Sequence, residues 1–286
     1  MLDQGIQLGR VLINSAPSGS PHILAKAIEI FGYKGYATGS DYKIDTPKSF
    51  NYKETKRALK EGKKVPNESG DKIGLGGLSP YYVDLSTLQY WLDAVPQGQY
   101  ILGHIPWTAK LSQTLADLNY YNLCIIRDPR DIVASMIPFI LDTGKPIKHF
   151  LEADFKEMSA GQRLNFIFQG GYAPQAGVEV NSFAEVYRSM LPWRNEQNCL
   201  FVHFEDLVGE EGGGSVQKQK NVIKSIASHL GCPFDDKIYD KLPEIYRSSA
   251  QTLRIGKIDG WKSAMDTESL ESLVEYCKPL CQEAGY

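Results

Sequence analysis

No window of the 286-residue chain approaches the ~18 consecutive apolar residues that a membrane-spanning helix requires. The first apolar run, Val11 to Ala16, has only the length of a strand, and the polar stretch Met1 to Arg10 before it is no secretory signal. Neither sign of charge dominates: 31 Lys and Arg stand against 34 Asp and Glu, a net charge of −3. That excludes a general nucleic-acid surface, which needs a basic excess, but leaves room for an anionic ligand held by a few local donors. The five cysteines (Cys124, Cys199, Cys232, Cys277, Cys281) are odd in number and scattered, so they form no disulfide framework. Cys277 and Cys281 lie one helical turn apart with no further ligand nearby, so no metal site is expected. These absences describe a soluble, cytoplasmic chain in a reducing compartment, with neither membrane nor nucleic acid as partner.

What is present is ordinary globular material, 42% hydrophobic and 23% charged, enough for one domain spanning residues 1–286. Short apolar runs at Val11 to Ala16, Tyr100 to Ile105, Leu123 to Ile126 and Leu200 to Phe204 read as strands. Helical patterns read between and after them: 23–31, Lys53 to Lys60, Ala109 to Leu118, Pro129 to Leu141, stretches within 150–170 and 181–191, Lys218 to Leu230, Asp235 to Tyr246 and Thr267 to Glu283, with Thr267 as N-cap. Strands alternating with helices predict an α/β fold, a central parallel sheet flanked by helices. Ligands of such sheets bind beyond the carboxyl ends of the strands. The loosely patterned segments 38–99 and 142–182 read as insertions that carry substrate loops.

Three segments fall on that rim. Ser15-Ala-Pro-Ser-Gly-Ser-Pro-His22 is a small-residue loop between a strand and a helix, with Ser20 suited to the N-cap and Pro21 to the first helical position. Such a loop offers backbone N–H groups to a phosphate, although a simple capped turn has the same composition. It lacks the spacing and the lysine of a Walker A loop. Arg127-Asp-Pro-Arg-Asp-Ile-Val-Ala-Ser135 sends an arginine out of a buried strand and places a serine two turns into the next helix, types that together grip a phosphate. Leu102-Gly-His-Ile-Pro106 ends a strand with His104, a side chain whose pKa suits a general base, though such a histidine taken alone is more often structural.

In this order, the segments resemble the sulfotransferases that use 3′-phosphoadenosine 5′-phosphosulfate (PAPS), of the soluble, small-molecule type. Ala16 to His22 is similar to the family's Pro-Lys-Ser-Gly-Thr-Thr-Trp loop around the 5′-phosphosulfate. Arg127 and Ser135 match the pair on the 3′-phosphate. Arg254-Ile-Gly-Lys-Ile-Asp-Gly-Trp-Lys262 is similar to the family's C-terminal segment over that phosphate, and Phe204-Glu-Asp-Leu207 to its Tyr-Glu-Asp-Leu element. The resemblance implies a P-loop-like sulfotransferase fold. It also implies transfer of a sulfuryl group from PAPS to a hydroxyl or amine of a small-molecule acceptor, leaving PAP. The unusual loops suggest a specialised natural product as that acceptor. His104 would be the base. Ser18, Gly19, Ser20, Pro21, His22, Arg127, Ser135, Arg254, Ile255 and Gly256 would hold the nucleotide. Trp107 would line the acceptor pocket and Phe183 would lie against the adenine, in a monomer or homodimer.

The departures fall on the sulfuryl half. Pro17 stands where the family loop has a lysine, His22 where it has a tryptophan, Leu102 where the base strand has a lysine, and Ile255 for a lysine in the third segment. Lys26, Lys110 and Lys262 are the nearest cations by sequence to take the loop lysine's part. His203 reads as a core histidine, His149 and His229 as surface groups. The alternatives are a P-loop-type small-molecule kinase, which needs a loop Lys and a Mg²⁺ ligand, and a catalytically inactive PAP-binding protein.

Overall fold

The structure, a computed structural model, describes residues 8–38, 43, 45–61, 70–142, 144, 148–249 and 256–286. Its centre is a parallel sheet made of β1 (Arg10–Ser15), β2 (Lys34–Gly35), β5 (Gln99–Gly103), β6 (Tyr120–Ile126) and β9 (Cys199–His203), in the spatial order β2-β5-β1-β6-β9. Two antiparallel hairpins stand apart from it: β3 (Lys72–Leu75) with β4 (Tyr81–Asp84), and β7 (Gly171–Ala173) with β8 (Val178–Val180). The helices before β6 are α1 (Pro21–Glu29), α2 (Tyr52–Glu61), α3 (Leu85–Asp93) and α4 (Ala109–Asp117). Between β6 and β9 run α5 (Pro129–Ile140), α6 (Glu152–Glu157), α7 (Ala160–Gln169) and α8 (Phe183–Met190). The last are α9 (Phe204–Leu207), α10 (Val216–His229), α11 (Leu242–Ser249) and α12 (Thr267–Ala284). No helix among the described residues is long and apolar enough to cross a membrane.

The sheet is buried on both faces, which is why its strands read as continuous apolar runs. Successive side chains of β1 point to opposite sides. Val11 and Ile13 pack with Ile23, Leu24 and Ile28 of α1 and with Ile223 and Ile226 of α10. Leu12 faces the opposite core, with Trp91, Leu111 and Leu115. Full burial of each such side chain contributes about 1.5–3 kcal/mol.

Three expectations need adjustment. The helix over 235–246 begins as a 3-10 turn, Asp236–Lys241, and becomes α-helical only at Leu242. The stretch 150–170 splits into α6 and α7, because Ser159 caps a new helix with Gln162 in a reciprocal capping box. The last helix is capped by Asp266, whose carboxylate accepts from Ser269 N at 2.9 Å; Thr267 is its first residue.

The strand order reverses beside β1. The carboxyl ends of β1, β5 and β6 therefore open a crevice, and described residues of the insertion 38–99 contribute to its lining.

Candidate active site

The chain leaves β1 at Ser15 and turns sharply. Gly19 N donates to Ala16 O at 2.9 Å, and Ser18 and Ser20 take φ values of 60° and 64°. Left-handed serines cost on the order of 1 kcal/mol each, so this loop holds strain. A Cβ on Gly19 would lie 2.8 Å from Ala16 O, so only glycine fits there. Pro21 opens α1, as its fixed φ favours. Ser20 occupies the N-cap, but in the left-handed conformation its hydroxyl makes no cap bond, and its backbone shapes the loop instead. The positive end of α1 is thereby presented to the crevice, where Pro17, Ser18 and His22 line the wall.

His104 is held from four directions. Its N–H donates to Phe50 O at 3.1 Å and its carbonyl accepts from Gly76 N at 3.1 Å. The next residue, Ile105, is clamped by the buried Asn14: Asn14 Nδ2 donates to Ile105 O at 2.6 Å and Ile105 N donates to Asn14 Oδ1 at 2.9 Å. The ring itself lies with Nδ1 2.8 Å from the carbonyl oxygen of Ser15. A carbonyl only accepts, so Nδ1 carries the hydrogen and Nε2 keeps its lone pair. Burial lowers the His104 pKa; the Ser15 carbonyl raises it and His22 lowers it further. The ring is therefore neutral at pH 7, with a defined basic nitrogen.

His104 and the Pro17 loop meet in a cavity of about 580 Å³. One wall is apolar: Met136, Phe139 and Ile140 of α5, with Phe150 stacked on Tyr52 at a centroid distance of 4.4 Å. The lining also carries cations, Lys48, Lys53 and Lys56 from the first insertion and Lys148 from the second. Phe50 pairs with Gly103 as an isolated parallel bridge, which fastens the segment before α2 to the end of β5.

Arg127 leaves β6 on the same rim but does not line this cavity. It is 1% exposed. It pairs at 3.5 Å with Asp131, which is 0% exposed, and donates to Lys257 O at 3.2 Å. The guanidinium also lies 4.4 Å from the Phe204 ring centre. Burial lowers the pKa of Arg127 and raises that of Asp131, and each charge opposes the other's shift. Asp131 Oδ1 accepts from Trp261 N at 2.9 Å, and Arg130 covers the Trp261 ring at 4.6 Å. Arg127 is thus joined to the C-terminal segment through Asp131 and Lys257. Ser135 is buried, and its hydroxyl donates back to Ile132 O at 2.8 Å. Gly256 opens the last described segment, beside Lys257; Arg254 and Ile255 lie outside the described residues.

The family model of the sulfotransferase domain matches residues 91–285, more than half of the chain. The chain belongs to the sulfotransferase family. Among solved structures, a mouse sulfotransferase complexed with PAP aligns at 15% identity, with 96% of this chain and 85% of that chain covered and a TM-score of 0.53. Retinol dehydratase, in complex with androsterone and PAP, aligns at 14% identity, with coverage of 99% and 84% and a TM-score of 0.52. At such identities these likenesses are of fold. No curated protein sequence matches the chain.

Several expected site residues of this sulfotransferase lie elsewhere. Trp107 does not line the cavity: its Nε1 donates to Glu196 Oε1 at 2.7 Å and its N–H to Ser189 O. Phe183 is buried in the core against Tyr187, with no surface left for a ligand. None of the three proposed stand-in lysines lines the cavity. Lys26 pairs with Glu29, Lys110 with Asp71 and Lys262 with Asp259. His149, expected on the surface, lines the cavity between Phe139 and Phe150. His229 is half-buried, with Nε2 3.0 Å from Asn122 O. His203 is half-buried at the end of β9, against Phe201 and Tyr286.

The sequence reading missed Asn14, whose amide imitates a backbone strand. It named Glu205 within the Phe204–Leu207 element but gave it no role; its carboxylate accepts from Asp128 N at 3.0 Å and from the Tyr286 hydroxyl at 2.7 Å beneath the Arg127 turn. A buried polar residue inside an apolar strand was the available signal for Asn14.

Proposed function

We propose that this sulfotransferase moves a sulfuryl group from PAPS to a hydroxyl or amine of a small-molecule acceptor, with His104 as the general base. The single observation that carries the reading is the His104 ring: Nδ1 is committed to the Ser15 carbonyl, which leaves Nε2 as the basic nitrogen, and His104 lines a cavity together with Pro17, Ser18 and His22. The residues present fit the donor's anionic 5′ end, because the strained Ser18–Ser20 turn and the positive end of α1 offer backbone donors there. The match of Arg127, Ser135 and Gly256 to the family's 3′-phosphate segments supports their use on that group. Arg127 would then exchange contact with Lys257 O for the phosphate.

In the step itself, the bond from sulfur to the nucleotide oxygen breaks as the bond from sulfur to the acceptor atom forms. His104 Nε2 takes the acceptor proton, a contribution of about 10²–10⁴-fold. The loop and α1 hold the phosphosulfate end in line, so most of the acceleration is positioning and charge stabilisation. A coupled assay of PAPS consumption against a panel of alcohols, phenols and amines tests the reading. Consumption that depends on both acceptor and His104 is expected. PAPS left intact with every acceptor contradicts it.

A further inference from the structure

The two sides of the cavity differ in chemistry, and neither side's character follows from the donor. The apolar side is continuous: Tyr52, Phe150 and His149 follow one another in the lining at centroid distances of 4.4 and 4.6 Å, Phe139 of α5 meets His149 at 5.7 Å, and Tyr81, outside the lining, meets Tyr52 at 5.0 Å. Ammonium groups contributed by the two insertions, and not by the Pro17–His22 loop, share the lining. Lys53 and Lys56 lie on α2, form no ion pair with the described residues and line the cavity; Lys56 lies 5.6 Å from the Tyr52 ring centre. Lys148 lines it from the other insertion, at 4.0 Å from Glu152. The carboxylate in this lining, Glu54, is already neutralised, since Arg57 donates to it through Nε at 3.1 Å and Nη2 at 2.9 Å. Asn51 caps α2 by accepting from Glu54 N at 2.9 Å, so the positive end of that ten-residue helix also opens on the same space.

Exposed lysines such as Lys53 and Lys56, which form no ion pair with the described residues, beside an apolar surface favour a ligand that carries negative charge on an apolar body. From this arrangement we infer that the acceptor is an amphipathic anion: a ring or chain bearing the hydroxyl to be sulfated, and a carboxylate or phosphate met by Lys53 and Lys56. The apolar body lies along Tyr52, Phe139 and Phe150, which brings its hydroxyl to His104. The inference rests on the sulfotransferase reading above and names the substrate class of that same site.

The test uses the full chain saturated with PAP and three matched probes: 3-(4-hydroxyphenyl)propanoate, its methyl ester, and 2-(4-hydroxyphenyl)ethyl phosphate. Calorimetry is expected to show at least one of the two anions binding tenfold or more tighter than the ester. The stronger of the two identifies carboxylate or phosphate as the recognised group. The Lys53→Ala/Lys56→Ala double variant is expected to bring the anion's Kd to that of the ester while PAP affinity holds, and the Lys53→Arg/Lys56→Arg variant to restore the preference. Equal or tighter binding of the ester overturns the inference. So does a double variant that loses PAP and keeps its preference for the anion, because the lysines then serve the donor. Failure of the underlying reading is separate: a chain that does not bind PAP fails before any acceptor is compared.

Discussion

Pro17 and Gly77 are packed so closely that a Cβ placed on Gly77 would come within 2.5 Å of Pro17 Cγ and 3.5 Å of His104 Cβ. Gly77 has a φ of +71°, and its neighbour Gly76 donates its N–H to His104 O. The first insertion thus rests on the Pro17–His22 loop at Pro17, the position where the family loop it resembles has a lysine, and it fastens His104 at the same time.

Gly77→Ala forces both a left-handed alanine and a contact with the Pro17 ring. The expected cost is about 1–3 kcal/mol of stability, with larger losses if the loop shifts. Urea unfolding measures it. Because the displaced segment also holds His104, the fall in turnover should exceed the fall in PAP affinity.

His104→Ala removes the basic nitrogen but leaves the α1 loop intact. Turnover should fall by about 10²–10⁴-fold, while the Kd for PAP stays near that of the unaltered protein. Steady-state assays with PAPS and calorimetry with PAP separate the two effects. Near-normal turnover would remove His104 from the mechanism.

The pH dependence follows from the same ring. Burial holds the His104 pKa below the ordinary 6.5, and the base acts only when deprotonated. Activity should therefore rise with pH on a limb centred below 6.5 and be flat through neutrality. A limb centred above 6.5 in the kcat profile would mean that another group is the base.

Arg127 pairs with Asp131, and that pairing can be separated from its proposed contact with the 3′-phosphate. Its pair with Asp131 is fully buried, so Arg127→Ala strands a carboxylate inside the protein at a cost of about 3–5 kcal/mol. Adding Asp131→Asn should recover part of that stability, since the remaining charge is removed while Trp261 N keeps an acceptor oxygen. Thermal unfolding of the single and double variants reads this coupling. PAP affinity should stay weakened in both, because in the proposed site it is the arginine of this pair, and not Asp131, that meets the phosphate.

Much of the fold was legible because parallel strands buried on both faces write themselves as apolar runs. Val11 to Ile13, Leu123 to Ile126 and the helix started by Pro129 stood out for that reason. Boundaries were less legible where capping decided them, as at Asp266, where the neighbouring Thr267 offers an equally plausible cap. The Pro17–His22 loop, His104 and Arg127 stood out as candidates because each sits at the end of a strand on one rim. The proposed acceptor side did not. Lys53, Lys56, His149 and Phe150 belong to insertions without a strong pattern, and they come together only because Phe50 bridges to Gly103 and Tyr52 stacks on Phe150. Trp107 and Phe183 misled for a complementary reason. Proximity in sequence to Pro106 and Ser182 says nothing about which way an indole or a ring turns: Phe183 lies in the core and Trp107 packs half-buried against it.

The central claim is that the chain uses PAPS, and transfer of radiolabelled sulfate from PAPS tests it most directly. In the absence of ATP, label should appear on an acceptor in step with PAP release, and this should be lost in His104→Ala. Label that stays on PAPS, together with thermal stabilisation by ATP and Mg²⁺ but not by PAP, would contradict the account and favour a kinase.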